Sequence, residues 1–248
     1  MIELSIVIPL CNESLNIGIL YSELMGAVDF YKDRLEIIFV DDGSKDDTVG
    51  RVKEICRIDK RIRLIILERN FGQSVALLAG FKFARGEIIV SMDGDLQPDP
   101  RDIPKMLTEI KKGYDLVSAF RRKRSDKLFT KKLPSILANK IGRIMFNLRI
   151  HDFTSTFVAY RHQVVDRIII FNGGHRFLPI LAKLRGFSIG EVAVSWRKRQ
   201  MGESKYTFSR ILKAAKDIIF LELVNLFGKN GSTFVNFKEA SFEIKEII

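Results

Sequence analysis

The 248-residue sequence contains few of the residues that build disulfide frameworks and zinc sites. Its two cysteines, Cys11 and Cys56, form no disulfide or metal-binding pattern. Its three histidines, His151, His162 and His175, do not have the spacing of a zinc site. We therefore expect a reducing, intracellular setting and no structural zinc.

Several sequence motifs are also missing. No Gly-x-Gly-x-x-Gly follows the first predicted strand, and neither a Walker A motif nor Gly-x-Ser-x-Gly occurs anywhere. These absences disfavour a dinucleotide-dependent oxidoreductase, a P-loop NTPase and an esterase. The N-terminus shows no signal-peptide pattern, and Glu222 interrupts the longest apolar run, 218–227, which is shorter than the roughly 20 residues of a membrane span.

The charge is unevenly distributed along the chain. Residues 1–120 contain 16 Lys and Arg against 20 Asp and Glu, whereas residues 121–248 contain 25 against 10. A basic half of this kind suits nucleic acid, anionic lipid or a phosphorylated substrate. Nucleic acid is the least favoured of these partners, because no long stretch interleaves basic and aromatic residues.

Apolar runs and helical patterns alternate five times over residues 3–119, with short connections between them. This alternation predicts a parallel, doubly wound α/β sheet. The alternation stops at Phe120, and a strand over 187–196 and a helix over 207–227 are predicted in the second half. The last twenty residues have no firm pattern.

The segment from Ile88 to Pro100 is the first candidate site. An apolar strand leads into Asp93-Gly94-Asp95, and residues i and i+2 of extended backbone point to the same side. Both carboxylates can then face one hard cation, and Gly94 would let a ligand approach the backbone. The alternative is a polar loop between a strand and a helix, since Asp-x-Asp is common in turns.

Other strand ends point to the same edge of the sheet. Asp41 ends the second strand, while Pro9, Cys11 and Glu13 follow the first. Together with the acidic pair, they suggest a nucleoside-diphosphate site at the carboxyl ends of the strands. Taken singly, Asp41 also fits an Asx turn and the others fit ordinary loops. Basic loop residues of the second half could receive a further anion: Arg121, Lys131 and Arg199.

Six motifs occur in the order found in one known family. They are VIPLCNES at 7–14, VDDGSKDDT at 40–48, ERNFGQSVALLAGF at 68–81, SMDGDLQPDP at 91–100, HDFTSTFVAYR at 151–161 and RQMGESKY at 199–206. In these motifs the chain resembles the polyprenyl-phosphate hexosyltransferases, the dolichyl-phosphate mannose synthase-like branch of glycosyltransferase family 2, over about residues 2–210.

The resemblance implies an α/β GT-A fold. Such a fold is Rossmann-like and doubly wound, with a mainly parallel sheet and helices on both faces. We expect a catalytic domain over 1–206, with a nucleotide-sugar half at 1–120 and an acceptor half at 121–206. A C-terminal amphipathic helix, possibly membrane-associated, would follow at 207–228, and a tail at 229–248.

The resemblance also implies an inverting transfer of a hexose from GDP-mannose or UDP-glucose to a polyprenyl phosphate, dolichyl or undecaprenyl, with Mg²⁺ or Mn²⁺ as cofactor. The metal would lie on Asp93 and Asp95. The matched nucleotide-sugar positions are Pro9, Cys11, Glu13, Asp41, Asp93, Gly94 and Gln97. The positions matched to catalysis are Asp95, Arg121, Lys131 and Arg199, and those matched to the acceptor phosphate are Lys131, Ser135 and Arg199.

The sequence departs from the family at several positions. Cys11 replaces a usual Tyr, Lys131 a usual Arg, and Thr156 and Val158 a Gly and an Arg. The expected location is the cytoplasmic face of a membrane, reached directly through helix 207–228 or through a membrane-spanning partner. Two alternatives stay open: transfer to a sugar hydroxyl, with Asp152 as base, and an idle protein that binds nucleotide sugar or membrane.

Overall fold

The computed structural model describes residues 1–121, 150–152, 155–167, 173–197 and 242–248. Its strands are β1 Leu4–Leu10, β2 Leu35–Asp41, β3 Ile62–Leu67, β4 Ile88–Ser91, β5 Leu116–Arg121, β6 Val158–Arg161, β7 Ile189–Val194 and β8 Ile244–Ile247. Its α-helices are α1 Ile17–Val28, α2 Thr48–Ile58, α3 Gln73–Phe83, α4 Ile103–Lys111, α5 His162–Arg167 and α6 Leu178–Leu184. Short 3₁₀ helices cover Asp29–Arg34, Pro100–Asp102 and Gly174–Phe177.

The strands form one sheet in the order β7-β5-β6-β4-β1-β2-β3-β8. The neighbours β4, β1, β2 and β3 run parallel, as do β5 and β7. Two strands run against them: β6 lies between β4 and β5, and β8 pairs with β3. The prediction of a mainly parallel sheet is confirmed. However, β6 follows β5 in the sequence and lies between β4 and β5, the last two strands of the predicted alternation.

Helices cover both faces of the sheet, as predicted. Alternate residues of β1 point to opposite faces, so Ile6 and Ile8 pack with α1, α2 and α4 while Val7 packs with α3 and α6. Both layers consist of fully buried aliphatic and aromatic side chains, with Phe39 in the first and Tyr160 and Phe177 in the second. The sheet is therefore the centre of a three-layer α/β fold.

Helix α3 approaches the sheet closely, and this approach positions the candidate site. A Cβ atom on Gly80 would lie 2.2 Å from Cγ1 of Val7, so only glycine fits at this contact. Close packing on β1 brings the first residues of α3, Gln73 and Ser74, beside the carboxyl ends of the strands. The ends of β1, β2, β4 and β5 meet at that edge, because these four strands point in one direction.

The C-terminal segment differs from the prediction. Sequence patterning gave no element to the last twenty residues, yet Ile244–Ile247 forms β8 on the outer edge of β3. The strand is short, and Lys245 and Glu246 interrupt its apolar residues, which explains why no pattern was visible. The predicted helix over 207–228 lies outside the described residues. None of the helices within the described ranges is long and apolar enough to cross a bilayer.

Candidate active site

A cleft of about 430 Å³ opens at the carboxyl ends of the strands. It brings together most of the residues that the sequence singled out: Pro9, Cys11, Glu13, Asp93, Gly94, Asp95, Gln97, Arg121 and Asp152. These residues come from the ends of β1, β4 and β5 and from the segment before β6. The edge of the sheet therefore collects residues more than a hundred positions apart, as the doubly wound fold predicts.

Two side chains far away in the sequence hold the Asp93 carboxylate. Its Oδ1 accepts a hydrogen bond of 2.7 Å from Nε2 of Gln73, and its Oδ2 accepts one of 2.8 Å from Oγ1 of Thr156. Burial and the neighbouring Asp95 carboxylate raise the pKa of Asp93 to about 6, although the two hydrogen bonds and Arg121 act in the opposite direction. The acidic pair is thus held together against its own repulsion.

A tight turn fixes Asp95. Its Oδ1 accepts a 3.1 Å hydrogen bond from the backbone N–H of Gln97, and the intervening Leu96 has φ +61°. This left-handed backbone is costly for leucine, and its persistence is typical of functional loops. The buried Leu96 side chain, 2% exposed, anchors the turn in the core.

Gly94 packs closely against β1, a feature that the sequence did not reveal. A Cβ atom at this position would lie 2.5 Å from Cδ2 of Leu10, so any other residue would force the Leu10 side chain to move. The expectation that Gly94 lets a ligand approach the backbone stays a prediction. Gly94 still lines the cleft between the two carboxylates.

The chemistry of the acidic pair fits a hard divalent cation. Asp93 and Asp95 supply carboxylate oxygens only, which Mg²⁺ and Mn²⁺ prefer. In the parts of the chain that the structure describes, no group of three or more His, Cys, Asp or Glu side chains could hold a metal. A cation here would need its remaining oxygen ligands from substrate phosphates and water, the usual arrangement for Mg²⁺.

Arg121 stands at the end of β5 on an aromatic support. Its Cζ atom lies 4.0 Å from the centre of the Trp196 ring, within the range of a cation–π contact. Trp196 follows β7 and packs against the core that contains α1, α2 and α4. The stacking holds the guanidinium in the cleft, where it can bind phosphate oxygens.

Asp41 does not line the cleft, whereas its neighbour Asp42 does. Asp41 is 1% exposed, and its Oδ2 accepts a hydrogen bond from the backbone N–H of Ser44. Its buried Oδ1 has no hydrogen-bond partner within the described ranges. Asp42 accepts hydrogen bonds from the backbone N–H groups of Phe71 and Gly72, which fixes the loop before α3. The nucleotide-binding role of Asp41 stays a prediction.

The remaining predicted residues, Lys131, Ser135 and Arg199, lie outside the described residues. Conversely, sequence reasoning missed several residues of the cleft, Gln73, Thr156, His175, Arg176 and Trp196, and also Ser74, which contacts His175 from behind the lining. The resemblance had marked Thr156 only as a departure from the family, and its contact with Asp93 gives that departure a role. The other contacts join residues between 20 and 101 positions apart, so no local sequence pattern indicates them.

We expect Asp93→Asn to raise the stability of the metal-free protein. Because the pKa of Asp93 is raised to about 6 in the folded protein, ionisation of this carboxyl destabilises the fold. The loss of folding free energy is absent below about pH 4, grows between about pH 4 and pH 6, and is complete above about pH 6. Two units correspond to at most about 3 kcal/mol, and we expect about 1–2 kcal/mol because Asp93 is partly exposed to solvent. Urea unfolding in EDTA at about pH 7.5 and about pH 4.5 measures the difference.

Asp115→Asn is the control, because it should change the free energy of unfolding in the opposite direction to Asp93→Asn. Burial alone would raise the pKa of Asp115, but hydrogen bonds from Ser188 outweigh it and hold the pKa below its ordinary value. This variant should lose stability above about pH 4, where the wild-type carboxylate is ionised. An Asp93→Asn protein no more stable than wild type at about pH 7.5 would contradict the strained state of the acidic pair.

The chain is similar to a family model and to curated proteins over most of its length. Residues 5–169 match the model of glycosyl transferase family 2. The dodecaprenyl-phosphate galacturonate synthase of Rhizobium johnstonii is 40% identical over 223 residues, which cover 88% of this chain and 66% of that protein. The undecaprenyl-phosphate 4-deoxy-4-formamido-L-arabinose transferase of Shewanella sediminis is 34% identical, over 87% of this chain and 65% of that protein. The chain thus spans slightly less than two thirds of these relatives.

Solved structures support the fold. Glucosyl-3-phosphoglycerate synthase from Mycobacterium tuberculosis, in complex with Mg²⁺ and UDP, superposes with a TM-score of 0.65 at 20% identity. The comparison covers 90% of this chain and 79% of that enzyme. This likeness confirms the predicted GT-A fold, and the curated relatives confirm the resemblance to polyprenyl-phosphate transferases. The chain belongs to glycosyl transferase family 2.

Proposed function

We propose that this glycosyltransferase moves a sugar from a nucleoside-diphosphate sugar to a polyprenyl phosphate, with inversion and with the help of Mg²⁺ or Mn²⁺. The observation that supports this most is one cleft with the Asp93–Asp95 pair and the stacked Arg121. Both groups suit a diphosphate, one through a shared cation and the other through charge-assisted hydrogen bonds. The names of the two curated relatives supply the polyprenyl-phosphate acceptor as a candidate.

The acceptor chemistry is consistent with these residues. A lipid phosphate is already anionic at neutral pH, so its oxygen needs positioning more than deprotonation. That oxygen would form a bond to the anomeric carbon while the bond from this carbon to the diphosphate breaks. The nucleoside diphosphate leaves with the electron pair, and the anomeric configuration inverts.

Each residue then has a defined task. Asp93 and Asp95 would hold the divalent ion, which supplies charge neutralisation to the leaving diphosphate. Arg121 would bind a phosphate oxygen from the other side of the same cleft. Lys131, Ser135 and Arg199, assigned from the family motifs, would hold the acceptor phosphate. Pro9, Cys11, Glu13 and Asp41 are proposed for the nucleoside.

One observation favours a second candidate function. Asp152 lines the cleft, so a carboxylate is available as a general base for a sugar hydroxyl. Transfer to a glycan would need such a base, whereas transfer to a phosphate would not. Asp152→Asn therefore discriminates between the two reactions. Transfer to a sugar hydroxyl should lose most of its rate in this variant, whereas transfer to a polyprenyl phosphate should not.

A donor and acceptor screen tests the proposal. GDP-mannose, UDP-glucose and UDP-galacturonic acid would each be offered with a short polyprenyl phosphate, its dephosphorylated alcohol or a sugar acceptor, with and without EDTA. We expect metal-dependent transfer to the phosphate from one of these donors. Comparable transfer to the free alcohol or to the sugar, or full activity in EDTA, would contradict the proposal.

The place of action is also a proposal. A polyprenyl acceptor lies in a bilayer, so we propose a peripheral position on the cytoplasmic face of a membrane. The sequence pattern of residues 207–228, with Arg210, Lys213 and Lys216 near its start, supports contact with anionic lipid or with a membrane-spanning partner.

A further inference from the structure

The cleft contains a second arginine with no role in the proposed chemistry. Arg176 lines the cleft and is half-buried. It forms no hydrogen bond, ion pair or aromatic contact with any residue of the described ranges, unlike Arg121, which stacks on Trp196. A half-buried guanidinium facing a ligand cleft is costly unless an anion joins it, which makes Arg176 a candidate ligand-binding residue.

The backbone presents Arg176 from a rigid turn. Gly173, at φ +90°, begins the 3₁₀ helix Gly174–Phe177, and the residues on either side of Arg176 are buried: His175 is 7% exposed and Phe177 is 1% exposed. Because both neighbours are fixed in the core, the position of the Arg176 backbone is fixed as well. The side chain then needs little ordering when it binds a ligand.

Hydrogen bonds of Ser74 connect this turn to the start of α3, which also holds Asp93. The Ser74 Oγ accepts a 2.9 Å hydrogen bond from the backbone N–H of Gly173 and a longer one of 3.4 Å from that of His175. Both lone pairs are thereby used, so the hydroxyl proton is donated to Nδ1 of His175 at 2.6 Å. The adjacent residue, Gln73, holds Asp93, so one turn of α3 positions both features.

The same hydrogen bond sets the tautomer of His175. With Nδ1 as acceptor, the neutral ring has its proton on Nε2 and acts as a donor there. His175 also lines the cleft. The turn therefore presents the Arg176 guanidinium to the cleft beside the His175 ring, and a guanidinium matches an oxyanion.

The two cleft arginines belong to different layers of the fold. Trp196, which supports Arg121, packs on the core of α1, α2 and α4. Phe177, next to Arg176, belongs to the core on the opposite face of the sheet. One diphosphate with its cation already engages Arg121 in the proposed function, so Arg176 is available for another negative group.

We propose that Arg176, held by the Ser74–His175 contact, forms a second anion subsite for an oxyanion other than the donor diphosphate. The shared chemistry is a carboxylate or phosphate, and it has two possible sources: the C6 carboxylate of a hexuronic acid donor, or the phosphate of the acceptor lipid. This inference rests on the proposed function only for the names of the ligands. Equilibrium binding tests it without any transfer.

Matched donors that differ only at C6 separate the sources. Titration calorimetry with Mg²⁺ would compare UDP-galacturonic acid with UDP-galactose, and UDP-glucuronic acid with UDP-glucose, for wild type and Arg176→Gln. A short polyprenyl phosphate is the third ligand. Loss of one charge-assisted contact should weaken binding of the relevant ligand by about 10- to 100-fold. Lys183→Gln, which removes an exposed cation from the adjoining α6, is the matched control.

The outcomes are distinct. A loss confined to the uronic acid donors identifies the sugar carboxylate, and a loss confined to the lipid phosphate identifies the acceptor. Ser74→Ala should give a smaller loss for the same ligand and little further loss in combination with Arg176→Gln, because Ser74 acts through the turn. Unchanged affinities for all ligands, or equal losses for charged and neutral donors, would overturn the proposal. Failure of the proposed function alone would instead appear as tight binding without transfer to polyprenyl phosphate.

Discussion

Asp95→Asn is expected to reduce the rate of sugar transfer by about a thousandfold or more, because in the proposed reaction several kcal/mol of leaving-group stabilisation would come from the metal. The variant keeps the size and shape of the side chain, and its amide oxygen can still accept the hydrogen bond from Gln97 that closes the turn. The fold should therefore survive while the metal-binding charge disappears. Initial rates over a range of Mg²⁺ and Mn²⁺ concentrations measure the effect.

A matched aspartate controls for general charge effects. Asp47 is 72% exposed in its side chain and forms a loose surface ion pair with Arg51, so Asp47→Asn should leave the rate unchanged. Thermal unfolding of both variants checks that neither has lost its structure. Wild-type rates for Asp95→Asn, or a wild-type enzyme indifferent to EDTA, would rule out a metal on this pair.

Arg121→Gln is expected to lower kcat/KM by about 100- to 1000-fold, since a preorganised cation facing the departing diphosphate of the proposed reaction would contribute several kcal/mol. Arg121→Lys should recover part of that loss through its charge, although it cannot reproduce the planar fork. Trp196→Leu leaves the cation in place and removes its aromatic support, so a smaller loss of about tenfold follows.

The order of these three effects is the test. If Trp196→Leu is as damaging as Arg121→Gln while both proteins remain folded, the tryptophan contacts substrate itself and does not merely position the arginine. If Arg121→Gln keeps more than about a third of the wild-type kcat/KM, Arg121 is not a phosphate ligand.

The sequence predicted the layers of the fold and the acidic centre of the cleft, because both follow from local patterns. Alternating apolar strands and helices specify a doubly wound sheet, and Asp93 and Asp95 stand two residues apart at the end of a strand. The direction and place of β6 could not be predicted in the same way. A short strand after a long connection can pair with several neighbours, and tertiary packing selects among them.

The hydrogen bonds that position the residues of the cleft could not be predicted from sequence patterns, for a related reason. Thr156 contacts Asp93 across 63 positions, and Ser74 contacts His175 across 101. Such contacts depend on how closely α3 packs on β1, which in turn depends on Gly80. The place of Asp41 shows the same limit, because Asp41 and its neighbour Asp42 are both buried and yet only Asp42 lines the cleft.

Trp196 is the only tryptophan in the chain, and it lies in the cleft beneath Arg121. Indole emission responds to the charge and polarity around the ring, so the intrinsic fluorescence of this protein originates where its ligands are expected. Selective excitation of indole would report occupancy of the cleft without a label, separately from the five tyrosines. The fluorescence of Trp196 should therefore allow donor binding to be measured directly, in the presence or absence of an acceptor.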